Sequence, residues 1–202
     1  MVTTVFLVIV LLLSSFASEG LVNDFRYPKL NQINKELVDA FEAGQVHLLR
    51  EAEDDLMALD NPYDWSQRLE AGLSYAWDHC LYEGQYYSYY GIAPVLLLFL
   101  PYHLLTGQYF PPVWSIFIFG FLGVLFLGMT YYLFVKKLFP KIPVNIATCG
   151  LIITMLICGI WYCMPIPNFY EIAQSSGFAF TVMGAYFMLA SNAVLRMAGS
   201  QT

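Results

Sequence analysis

Asp24, Asp78 and Glu171 are the acids whose places in this sequence could give them chemistry. Asp24 lies six residues beyond an uncharged apolar stretch, Asp78 stands beside His79 in WDHCLY, and Glu171 falls in PIPNFYEIAQ between two long apolar runs. A carboxylate so placed can move a proton or hold a cation, whereas an acid without a special place is more commonly solvated or a helix cap. Other chemistries lack their parts. The sequence has no nucleophile–base triad, no phosphate-cradling glycine loop and no HExxH. Cys149, Cys158 and Cys163 lie in an apolar run, where thiols pack as small hydrophobes, and Cys80 stands alone, so no metal spacing appears. A common surface would unite the three acids, and the elements that present them must therefore be placed.

Of the 202 residues, 58% are hydrophobic and only 12% charged, about half the charged share of a soluble domain, which marks a membrane protein. The charge is segregated. Fourteen of the fifteen acids lie between Glu19 and Glu83, whereas beyond residue 91 the charges are Lys136, Lys137, Lys141, Glu171 and Arg196. No basic run suits nucleic acid, so no nucleic-acid partner is expected.

Residues 2–18 are uncharged, and their length is at the short end for a spanning helix. A membrane anchor is favoured over a cleaved signal peptide, because no lysine or arginine precedes the apolar core; on either reading the following segment is exported. Residues 113–135, 144–164 and 173–195 are uncharged and long enough to span. The run 92–106 is too short: fifteen residues of helix reach about 22 Å against a core of about 30 Å, and Pro101 removes a bond mid-run. By the positive-inside rule Lys136, Lys137, Lys141 and Arg196 face the cytoplasm, which puts residues 19–112 outside only if 92–106 does not cross. The expected fold is thus an all-α polytopic membrane protein of the cell membrane with about four transmembrane helices. Its parts are a first helix at 1–18, an extracytoplasmic loop at 19–112 with amphipathic juxtamembrane helices, and a three-helix region at 113–202 with a cytoplasmic loop at 136–143.

Within the loop, Leu30, Ile33, Leu37, Ala40 and Phe41 recur at helical spacing, with Lys35, Glu36, Asp39 and Glu42 turned mostly away, between Pro28 and Gly44. QVHLL reads as a short strand, and REAEDDLMALD as a solvated acidic face rather than a calcium loop. Asp64 can cap a helix from Trp65 whose face carries Leu69, Leu73 and Trp77. WDHCLY and QYYSYY flank Glu83-Gly84 as a hairpin. Tyr82, Tyr86, Tyr87, Tyr89 and Tyr90 fit an aromatic belt at the headgroups; the sharper alternative is that some stack on a sugar ring.

The stretches NDFRYPKLNQINKELVDAFEAGQVHL, GQYYSYYGIAPVLLLFLPYHLLTG and FYEIAQSSGFAFTVMGAYF, with NPYD and WDH between the first two, resemble the bacterial polytopic C-type (GT-C) glycosyltransferases. Members of that superfamily take sugar from a polyprenyl-phosphate carrier at the outer membrane face. The resemblance implies that Asp24 is the catalytic acid, serving as general base or holding a divalent cation (Mg or Mn) against the carrier phosphate. Where the family has an acidic pair this chain has Asn23-Asp24, so a metal would draw further ligands from Asp78, His79 or Glu171. Tyr27, Tyr86, Tyr87, Tyr89 and Tyr90 would be the substrate-stacking residues. Relatives carry more than four spans, which implies the amino-terminal part of a longer enzyme, partnered by its remaining half and by membrane lipids and inactive alone. The alternative is a non-enzymatic subunit or assembly partner binding through its exported segment. A transporter ranks third, since no broken, charge-bearing helix pair is visible.

Overall fold

The computed structural model describes residues 32–73, 76–163 and 168–191. It is mostly helical and divides into two compact units, residues 31–110 and a second unit from residue 111 onward. The expected span at 2–18, Asp24, Tyr27, Leu30 and Arg196 lie outside the described residues.

The first unit is built around α1 (Ile33–Glu42), which buries Ile33, Leu37, Val38 and Ala40. Its end follows from Gly44, at φ 77°. The Gly44 N–H donates to the Phe41 carbonyl at 3.0 Å and the Gln45 N–H to the Ala40 carbonyl at 3.0 Å, a closure that needs a left-handed residue. The expected strand QVHLL does not form. The Gln45 side-chain amide donates to the His47 carbonyl at 3.2 Å, and such local bonds curl the backbone into bends. The segment still borders the hairpin, with Leu48 N–H donating to the Tyr86 carbonyl at 2.8 Å.

The acidic stretch forms α2 (Asp54–Met57), with Leu56 inward and the acids exposed as expected. Asp64 accepts from the Ser66 N–H at 2.8 Å and starts α3 (Trp65–Glu70). That helix stops early, at Gly72 with φ 65°, so Leu69, Leu73 and Trp77 share no helical face; Leu69 and Trp77 are about two-thirds exposed. Its buried residue is Arg68, whose guanidinium lies 5.9 Å from the rings of both Trp65 and Trp77.

The hairpin forms as read. Strands β1 (Cys80–Tyr82) and β2 (Gln85–Tyr87) pair with Leu81 opposite Tyr86, both buried, and with Tyr82 opposite Gln85. Glu83 (φ 50°) and Gly84 (φ 79°) make the two-residue turn, both left-handed as a type I′ turn requires. The next helix opens with a wide π-helical turn (Val95–Phe99) and continues as α4 (Leu100–Thr106). Pro101 has no N–H to give to the preceding turn, and the widened turn takes up that missing bond. Val95 and Phe99 point inward, while Leu96, Leu97, Leu104 and Leu105 stand exposed. At Val95–Thr106 this helix is about 18 Å long, too short to cross a bilayer.

The second unit holds three helical segments long and apolar enough to cross a membrane. These are α5 (Pro112–Leu138), the pair α6 (Val144–Ile157) and α7 (Ile160–Cys163), and α8 (Phe169–Ala190). The middle one was expected to be continuous, but Gly159 (φ 77°) breaks it. The break frees backbone carbonyls, and Trp161 Nε1 and Cys158 Sγ both donate to that of Met155, at 2.9 and 3.1 Å. Helices α5 and α8 run in the same direction, because their contacts rise together: Gly123 with Phe178, Thr130 Oγ1 donating to the Val182 carbonyl, and Lys137 Nζ donating to that of Leu189. A Cβ at Gly123 would overlap the Phe178 ring, so that glycine sets how closely the pair packs.

Candidate functional site

The polar face of α1 was expected to point mostly to solvent. Instead its charged residues are engaged within the first unit. Glu36 Oε2 lies 3.0 Å from His79 Nε2, and His79 Nδ1 lies 2.6 Å from the Trp77 carbonyl. Lys35 donates to Asp39 at 2.8 Å, and the Tyr109 hydroxyl donates to the other Asp39 oxygen at 2.6 Å. Lys35 Nζ lies 4.5 Å from the centroid of the Tyr109 ring, on which His103 stacks at 4.4 Å, and His103 Nε2 reaches Glu42 at 3.5 Å. Two of the chain's three histidines are thereby paired with acids of one helix. The hydrogen bond from His79 holds the Glu36 carboxyl below its ordinary range, against the opposing effect of burial. The bond to Asp39 raises the Lys35 ammonium, while burial and then Asp39 push the Tyr109 phenol up.

This network is closed: its carboxylates already hold cations or donors of the protein itself. The open polar site lies at the hairpin's far end. Asp78, in a left-handed conformation (φ 62°), accepts from the Tyr89 hydroxyl at 3.2 Å. The Tyr89 and Tyr90 hydroxyls are 3.1 Å apart, and their rings lie 4.5 Å apart at 32°. A carboxylate beside two phenols and an exposed aromatic face suits a ring rich in hydroxyls, with polar edges bonded and the apolar face stacked.

The residues singled out in the sequence thus have different fates. Asp78, Tyr89 and Tyr90 come together. His79 is their chain neighbour but is committed to Glu36, and Tyr86 is 3% exposed with its ring edge-on to His79, so it offers no face to a sugar. Tyr87 donates to Gln85 at 3.0 Å. Glu171 is not in a loop: Asn168 caps α8 by accepting the Phe169 N–H at 2.9 Å, which puts Glu171 in the helix's first turn. It is 6% exposed, and its Oε2 has no hydrogen-bond partner among the described residues. Among the described residues no three His, Cys, Asp or Glu side chains converge to hold a metal. Sequence reasoning missed Tyr109, His103 and Asp39; the scarcity of histidine and the i, i+4 spacing of Lys35 and Asp39 were the available signals.

Comparison of the chain with known families, characterised proteins and solved structures finds no match.

Proposed function

We propose that this chain is a membrane glycosyltransferase of the GT-C kind, or part of one, that takes sugar from a polyprenyl-phosphate carrier at the outer membrane face, with Asp24 as the catalytic acid. One observation supports this most. Asp78, Tyr89 and Tyr90 cluster a carboxylate with two phenols, and the same chain segment runs directly into a short helix with four exposed leucines. A lipid-linked sugar has the same two-part character, a polyhydroxyl head on an apolar tail. On this reading residues 19–112 face outward, the leucines of 96–105 lie in the outer leaflet, and the tyrosines meet the head.

The test is photo-crosslinking of a photoreactive polyprenyl-phosphate sugar to the chain in native membranes. Labelling between residues 89 and 106, competed by the unmodified lipid and weakened by Asp78→Ala, is expected. Labelling no stronger than that of a photoreactive phospholipid would remove the reading.

A second reading, an assembly partner, draws on the exposed Trp65 and Trp77 grouped round Arg68. Tryptophan and arginine are the residues that most often carry binding energy at interfaces. Trp65→Ala with Trp77→Ala would then abolish a complex while leaving lipid labelling intact.

A further inference from the structure

We infer that the lysine-bearing end of the membrane unit is a site for one anionic phospholipid, seated in a cavity of about 330 Å³ between the last turns of α5 and the start of α6. Its walls are apolar and aromatic (Tyr132, Val135, Phe139, Ile142 and Val144), and one cation, Lys136, lines it. Lys136 Nζ lies 5.8 Å from the centroid of the Tyr132 ring, its one partner among the described residues. Among the described residues of the unit no carboxylate is paired with it. From residue 111 onward the sole acid is Glu171. Glu171 stands in the first turn of α8, whereas Lys137 meets that helix at Leu189, about 27 Å further along its axis.

Depth selects the occupant. The 27 residues of α5 measure about 40 Å, more than the hydrocarbon core of about 30 Å, so its end at Lys136 and Lys137 reaches the headgroup layer. There an ammonium above apolar walls matches a lipid phosphate above its glycerol and first methylenes. A soluble anion would satisfy Lys136 but leave Val135, Phe139, Ile142 and Val144 facing water. A zwitterionic lipid would supply the apolar part without net charge. The inference does not rest on the proposed sugar chemistry or on the direction of insertion.

The experiment uses the full chain in phosphatidylcholine nanodiscs with increasing phosphatidylglycerol, and native mass spectrometry to count retained lipids. The expected result is one retained phosphatidylglycerol. Lys136→Gln weakens that preference about fivefold, the share of one lysine at a membrane surface. Thr148→Phe, which fills the cavity and keeps every lysine, also removes it, in protein shown by circular dichroism to be folded. Lys141→Gln, at a residue that does not line the cavity, leaves it unchanged. Equal losses from Lys136→Gln and Lys141→Gln would mean diffuse attraction and overturn the site. So would full retention in folded Thr148→Phe, or displacement of the lipid by inorganic phosphate.

Discussion

His79 touches two acceptors at once, the Trp77 carbonyl and the Glu36 carboxylate, so both contacts are hydrogen bonds only when both ring nitrogens carry hydrogen. The pair ties α1 to the segment before the hairpin, with the His79 side chain only 7% exposed. Glu36 titrates below its ordinary 4.5 in the folded chain. Its contribution is thus complete above that value and is lost as pH falls through the lowered folded value. Glu36→Gln is expected to lower stability at neutral pH by roughly 1–3 kcal/mol and to flatten the acid side of the profile. Thermal unfolding in detergent between neutral and acid pH measures both, and an unaltered acid limb would show that the pair does not govern it. Glu171 presents the reverse case, a buried carboxyl oxygen with no donor among the described residues. Glu171→Leu removes that deficit and should raise the melting temperature, by roughly 1–3 kcal/mol of stability; a lower one would mean that the carboxyl has a partner in the working protein. Asp24 is argued on the proposed chemistry alone. In any form of the protein that transfers sugar, Asp24→Ala should abolish turnover at normal expression, and near-normal turnover would remove it from the mechanism.

Two elements let backbone geometry be tested directly. The hairpin turn holds Glu83 at φ 50°, where asparagine is better tolerated, so Glu83→Asn should stabilise the chain by about 0.4–1 kcal/mol, read as a rise in melting temperature. In the membrane unit, Gly123→Leu should push α5 from α8 at a cost of about 1–3 kcal/mol, because Phe178 already fills the space. A Cβ at Gly177 meets nothing, so Gly177→Ala is the control; equal damage from both would contradict the packing. The elements that the sequence foretold are those with local signals: the Asp64 cap, the Glu83-Gly84 turn and the stop at Gly44. What it hid was distant or featureless. His79 and Tyr109 lie 43 and 70 residues from their α1 partners, so nothing near Glu36 or Asp39 announced them. Helix α3 looked longer because Leu73 and Trp77 fall at helical spacing beyond Gly72. The break at Gly159 lies within an unbroken apolar run, where hydropathy registers composition but not φ. Glu171 falls before the uncharged run 173–195, so hydropathy leaves it outside the helix that Asn168 starts. The site was legible in part, since Asp78, Tyr89 and Tyr90 were all marked, but only the fold tells them from Tyr86.

For the molecule as a whole, the parallel course of α5 and α8 bears on how the chain is threaded. Two helices separated by one further crossing must run the same way, and the contacts from Gly123–Phe178 to Lys137–Leu189 run so. The three segments are thus consistent with three successive crossings, which leave Lys136, Lys137 and Lys141 opposite the residues that precede α5. Helix Val95–Thr106 is too short to add another. The positive-inside bias predicts the direction, with the lysines in the cytoplasm and residues 31–110 outside. Cys80 is exposed and belongs to the first unit, so it is a natural reporter. With the other cysteines replaced, a maleimide that cannot enter cells should label Cys80 in intact cells, and should label a cysteine put at Gln108 equally well. A cysteine put at Leu138, itself exposed at the end of α5, should react only after the cells are opened. Labelling at position 138 in intact cells with none at Cys80 would reverse the whole arrangement. The sugar proposal would then fall with its exterior site, while the phospholipid site, which depends on depth and not on direction, would remain to be judged by its own variants.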